Sequence, residues 1–166
     1  MVQTRRSVKA IDVHAHLHRV NVETVQKKYK DYVPHVIRDS AGREFLEVKG
    51  RPSTRISEQY GSIYNIDKRI QDMDDTSIDI QVISVPPMFM SGYDSETRLG
   101  VAMAQNDGVA EVVKAYPDRF VGLATVPLQD PLSAADEMER GIKQLGLRGV
   151  EIGTSVSGKN LDAPEL

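Results

Sequence analysis

The stretch Ala10-Ile11-Asp12-Val13-His14-Ala15-His16-Leu17-His18 sets three of the chain's four histidines on alternate residues at the end of an apolar run. A period of two is that of a strand, in which residues i and i+2 project to the same side. Residues 10–17 therefore read as a short buried strand. His14 and His16 project together from its C-terminal end, and Asp12 points the same way. Two imidazoles with a carboxylate nearby suit a divalent metal such as zinc. Strand C-termini are also where α/β folds place their chemistry. The competing reading is a set of polar residues at a strand exit, satisfied by hydrogen bonds. His18 is the weaker candidate, because the strand has ended by then. His35 reads as a residue of an inserted hairpin.

Composition narrows the classes around this strand. The chain has 166 residues, enough for one domain with a real core. Its 21 basic residues nearly balance 24 acidic ones, for a net charge of −3. No Lys/Arg run or basic stripe suggests nucleic acid. No apolar run is long enough to span a bilayer, and "MVQTRRSVK" lacks the apolar region of a secretory signal. With no cysteine, any metal must be held by histidine and carboxylate. The expectation is a cytoplasmic protein without a membrane or nucleic-acid partner.

Working outward, strand and helix patterns alternate. Residues 65–77 carry Ile66, Ile70 and Met73 at helical spacing, with Asn65 as N-cap and Asp67 in the first turn. "IQVISVP" (80–86) is a β-branched run closed by proline, read as a buried strand. A long helical pattern covers 95–116 and stops near Pro117. "FVGLATVP" (120–127) is the next strand. Asp130-Pro131 supplies an N-cap and a first-turn proline for a helix through Leu132, Ala135, Met138, Ile142 and Leu145, stopping at Gly146. "LRGVEIG" (147–153) is a fourth strand, and "LDAPEL" would open a fourth helix. Strands joined by long crossovers imply a parallel sheet. Residues 18–64 form an insertion over one face of it, with a helix at 21–31 and a hairpin around Ala41-Gly42. No dinucleotide fingerprint or nucleophile elbow is present. Asp72, Asp74 and Asp75 read as the solvated face of a helix.

Asp12-Val13-His14-Ala15-His16 after a short apolar strand resembles the first-strand signature of the amidohydrolase superfamily. "RIQDMDDTSIDIQVIS" (69–84), "VPPMF" (85–89), "YPDRFVGLATVPLQDP" (116–131) and "LGLRGVEIGTSVSGKNLDAPEL" (145–166) are similar, in order and spacing, to the aminocarboxymuconate-semialdehyde decarboxylase-like family. The resemblance implies an α/β fold of the (β/α)8 barrel type with a mononuclear zinc or other divalent metal site. His14 and His16 are then metal ligands. The remaining ligands and the proton-handling histidine of that family lie later in its chains, beyond residue 166 here. Four strands fit in these residues, half of the eight a barrel needs, so residues 1–166 read as a single partial barrel domain. The family also holds a substrate carboxylate with an arginine of the insertion. A guanidinium fork suits that role, and "KGRPSTRI" offers Arg51 and Arg55. The spacing before "DKRIQDMD" departs from the family pattern, with Tyr64 about where a tryptophan is common. Met88 and Phe89 are candidates for the pocket wall.

The implied reaction is zinc-dependent, non-oxidative decarboxylation of a small unsaturated or aromatic carboxylic acid. Hydrolysis or hydration by the same metal-bound water is the enzymatic alternative, and His14 and His16 do not discriminate between them. The third reading is a non-catalytic assembly module. Half a barrel exposes sheet edges and apolar helix faces, so a homo-oligomer or another partner is expected. Two imidazoles fill half of a four-coordinate shell, so the 166 residues alone are expected to bind zinc weakly and not to be a competent catalyst.

Overall fold

The computed structural model describes residues 8–18, 35–47, 52–55, 58–63, 65–87, 93–164 and 166. The expected helix over 21–31, and Arg51, Tyr64, Met88 and Phe89, lie outside them. Strand β1 is Ile11–His16. Three antiparallel strands follow: β2 (His35–Arg38), β3 (Glu44–Glu47) and β4 (Thr54–Arg55). After a 3₁₀ segment at Glu58–Ile63 come α1 (Ile66–Asp75), β5 (Ile80–Ser84), α2 (Ser95–Ala115), β6 (Phe120–Gly122), β7 (Ala124–Thr125), α3 (Pro131–Lys143) and β8 (Val150–Glu151). A small hairpin, β9 (Ser155–Val156) and β10 (Lys159–Asn160), follows them.

The parallel sheet runs β1-β5-β6, and β7 pairs in parallel with β8. Residues 120–125 make these one layer. The Leu123 N–H donates to the Ile83 carbonyl at 2.9 Å, while the Ala124 N–H donates to the Gly149 carbonyl at 2.8 Å. One kinked segment thus bonds to β5 along its first half and to β8 along its second. The expected strand 120–127 is broken at Leu123 for that reason. The expected strand 147–153 is paired only at Val150–Glu151.

Caps end the helices where the sequence placed them. The Asn65 side-chain Oδ1 accepts from the Lys68 N–H, and the Asp130 carboxylate accepts from the Ser133 N–H with Pro131 next in line. Asp94, not singled out in the sequence, caps α2 through the Thr97 N–H at 2.8 Å. The core between helices and sheet gathers Leu17, Met73, Ile83, Val85, Val109, Val112, Phe120 and Leu147.

Two expectations need correction. β1 is not a buried strand along its length: Ile11 is 54% and Val13 72% exposed. Among the described strands it is the edge of the sheet, paired with β5 alone. The apolar stripe of α3 is exposed, in line with the apolar helix faces expected of half a barrel. Leu132 is 82%, Met138 44% and Ile142 40% exposed, whereas Ala134, Glu137 and Gly141 are buried. Small residues let α3 approach the sheet, and Glu137 enters because it is paired. Second, residues 155–160 turn back as a hairpin, and 161–164 are turns with no helix. Ser157 and Gly158 both have positive φ, 51° and 81°, the pattern of a two-residue primed turn.

Candidate metal centre

The first strand and the loops beyond the other strands open onto a cavity of about 730 Å³. That is within the usual range for a small-molecule site, about 300–1,000 Å³. His14, His16 and His18 line it, together with Pro86 after β5, Val126 and Gln129 after β7, and Glu151 to Ser157 at and after β8. All these contributions come from the C-terminal side of the parallel strands.

His14 and His16 do converge, though not through simple alternation. The pairing of β1 with β5 slips between Asp12 and Ala15: Asp12 sits opposite Gln81, but Ala15 opposite Ile83. Three residues on β1 thus span what two span on β5, a bulge that re-aims side chains next to a site. Asp12 stabilises the irregularity by accepting the His14 N–H at 3.1 Å. The two Nε2 atoms end 3.1 Å apart, with the rings nearly perpendicular. Two donors at about 2.0–2.1 Å from one ion have a separation near this value. The donor chemistry and the convergence of Nε2 on Nε2 therefore fit a divalent metal. Among the described residues, no group of three or more His, Asp or Glu side chains forms a complete metal site.

Asp12 faces its own network rather than the imidazole tips. Its second oxygen accepts from Gln81 Nε2 at 2.9 Å. Gln81 in turn accepts from Arg69 Nη1 at 2.9 Å, and Arg69 Nε donates to the Ser62 carbonyl at 2.9 Å. Arg69 Nη2 also donates to the His16 carbonyl. Arg69 is buried, and that burial lowers its pKa, opposed by the charges of Asp12 and Asp72. Sequence reasoning missed Arg69 and Gln81. A charged residue at the core-facing helical spacing between Ile66 and Met73 was the available signal.

The histidines differ in surroundings. Burial lowers the His16 pKa, with Glu151 opposing and His14 reinforcing the shift. His18 is almost fully buried, its backbone N–H bonded to the Ile63 carbonyl at 2.9 Å. Burial pushes its pKa down to about 4, so it is neutral at physiological pH. It lines the cavity although the strand has ended. His35 opens β2 opposite Glu47 in the antiparallel pair of β2 and β3. Arg55 is exposed on β4, opposite Phe45. It is not among the described residues that line the cavity.

A second polar cluster, also unforeseen, lies under β7. Asn106 accepts the Thr125 N–H at 2.8 Å and donates to the Thr125 carbonyl at 2.9 Å. It donates as well to Glu137, which forms an ion pair with Arg140, itself paired with Asp107. This ties α2, α3 and the kinked strand together beneath the cavity.

The amidohydrolase family model matches residues 11–166. The chain belongs to the amidohydrolase family. It is 36% identical, over 97% of its length, to 2-amino-3-carboxymuconate-6-semialdehyde decarboxylase of Dictyostelium discoideum, and covers 44% of that protein. It is similar to the crystal structure of 5-carboxyvanillate decarboxylase from Sphingomonas paucimobilis, with a TM-score of 0.68, 26% identity and coverage of 96% of this chain and 47% of that one. The fold is also shared with a 5-carboxyvanillate decarboxylase from Novosphingobium aromaticivorans, solved with bound manganese, at a TM-score of 0.68 and 23% identity over 97% of this chain and 46% of that one. The amidohydrolase chain described here thus spans less than half the length of these relatives. Its four parallel strands are half of an eight-stranded barrel.

Proposed function

We propose that this amidohydrolase chain serves the metal-dependent, non-oxidative decarboxylation of a small unsaturated or aromatic carboxylic acid. The observation that carries the reading is the convergence of His14 and His16 Nε2, 3.1 Å apart, at the mouth of a cavity. The decarboxylase names of its relatives support the reaction class. His14 and His16 are the residues that would hold the ion, zinc or another divalent metal such as manganese. When bound, it supplies Lewis-acid polarisation of a water or substrate oxygen. The chain's own part is to fix the two imidazoles. The bulge and Asp12 aim His14, and the Arg69 bond to the His16 carbonyl anchors the strand end. Pro86, Pro87 and Val126 give the cavity an apolar wall. An arginine of the insertion, Arg51 or Arg55, is the proposed anchor for the substrate carboxylate. Loss of such a charge pair costs about 2–5 kcal/mol.

The test is twofold. Zinc and manganese stoichiometry is measured by elemental analysis on the wild-type protein and on the His14→Ala, His16→Ala double variant. Loss of metal with retained circular dichroism is expected, and undiminished metal in the double variant overturns the assignment. Carbon dioxide release from a panel of aromatic and unsaturated carboxylates then decides the reaction. Ring opening or hydration without carbon dioxide points to a hydrolase or hydratase instead. Unchanged kinetics in both Arg51→Ala and Arg55→Ala places the anchor elsewhere.

A further inference from the structure

His16 uses one ring nitrogen to meet His14, which leaves Nδ1 to be accounted for. The Ser84 backbone carbonyl accepts from the His16 ring and raises its pKa, and two side chains face Nδ1 as well. Ser84 Oγ, on the neighbouring strand β5, lies 3.5 Å away. Glu151 Oε2, at the C-terminal end of β8, lies 3.7 Å away. The Glu151 oxygen is buried and has no hydrogen-bond partner among the described groups. A hydroxyl both donates and accepts, so Ser84 is compatible with either tautomer of the imidazole. An ionised carboxylate only accepts. A buried acceptor beside a ring nitrogen selects the form with the proton on that nitrogen.

We infer that Glu151 is a positioning residue for His16, holding its proton on Nδ1 so that the Nε2 lone pair faces His14 and the cavity. The inference rests on the metal reading of His14 and His16. It adds a residue from a different strand that no motif in the sequence marks. The gap of 3.7 Å closes to a hydrogen bond with a shift of under about 1 Å in the carboxylate or a small turn of the ring. That closure satisfies an oxygen otherwise buried without a donor, which is a favourable change. Metal-binding histidines characteristically give their second N–H to a carboxylate or carbonyl, and losing that partner weakens metal binding by about 10–100-fold. β8 and β1 are not neighbours in the sheet, so the contact also reaches across the top of the parallel strands and links the two open ends of the layer.

The decisive measurement needs no metal. Long-range proton–nitrogen correlation spectra of the metal-free protein at pH 8 report which His16 nitrogen carries the proton. The wild type is expected to show Nδ1–H. Glu151→Leu is expected to shift His16 toward Nε2–H. Glu151→Gln keeps an accepting oxygen and is expected to retain Nδ1–H, as is Ser84→Ala. Zinc titration against a chromophoric chelator is the second readout. Affinity falls about 10–100-fold in Glu151→Leu and much less in Glu151→Gln. An unchanged tautomer in Glu151→Leu, or a shift produced by Ser84→Ala instead, overturns the assignment. So does zinc lost in both Glu151 variants with the tautomer intact, because Glu151 would then be a ligand itself. If the Leu variant does not fold, an Nε2–H tautomer in the wild type alone is enough to overturn it. Zinc that survives His14→Ala, His16→Ala overturns the metal reading separately, since the tautomer result does not depend on it.

Discussion

At the scale of residues, the site depends on backbone groups held from below. Arg69 donates to the Ser62 and His16 carbonyls and to Gln81, which in turn holds Asp12. Arg69→Met keeps much of the volume but leaves two carbonyls and one amide oxygen without their donor. Each buried loss of this kind costs about 1–3 kcal/mol, though Met relieves the burial of a charge. The expected net destabilisation is about 3 kcal/mol, read from urea unfolding, with weakened zinc binding because the end of β1 is released. Gly122 is equally constrained by space. A Cβ there would sit 2.6 Å from Leu147 Cδ2 and 2.8 Å from Val109 Cγ1. Both neighbours are buried in the core, so neither retreats into solvent. Gly122→Ala is expected to cost about 1–3 kcal/mol of stability, measured by chemical denaturation.

At the scale of elements, the kink between β6 and β7 is what lets one segment serve two neighbours. Its stability is supplied by a helix. The Asn106 amide pairs with both backbone groups of Thr125, as a neighbouring strand would. The Glu137–Arg140–Asp107 chain holds the amide in turn. In Asn106→Leu the shape is kept, but the Thr125 N–H and carbonyl lose their partners inside the core, and Glu137 loses a donor. A cost of about 2–4 kcal/mol is expected on that basis. Hydrogen exchange checks the location of the effect: the Thr125 amide should lose protection, while amides of α1 should not.

At the scale of the whole molecule, the layer of described strands is open at both ends. β1 is an edge strand with Ile11 and Val13 exposed, and on the other side α3 and the segment after β8 expose Leu132, Met138, Ile142, Ile152 and Leu161. Between them, Val126, Leu128, Ala135, Met138 and Val150 line an apolar groove of about 430 Å³. Apolar patches of this kind mark surfaces that associate, and an uncovered parallel edge invites pairing. Residues 1–166 produced alone are expected to associate with concentration, as followed by sedimentation velocity. Leu132→Lys, Met138→Lys should shift that association to higher concentration while leaving the helical spectrum unchanged. A monomer at all concentrations would count against the self-association expected from the sequence. No described helix is long and apolar enough to cross a membrane.

The sequence by itself determined the alternation of strands and helices, the caps at Asn65 and Asp130, and the placing of His14 and His16 on one strand. These are local properties: side-chain period, capping chemistry and a proline at the first helical turn act over a few residues. Tertiary structure alone decided the rest. Whether the apolar stripe of α3 is covered depends on what packs beside it, not on its period. The bulge in β1 depends on its register against β5, which no single strand encodes. Gln81 and Asn106 read as ordinary polar residues in the sequence, and Arg69 as an ordinary charged one. Their partners lie 7 to 69 positions away, and a buried polar group reveals its purpose only when the fold brings those partners within hydrogen-bonding distance.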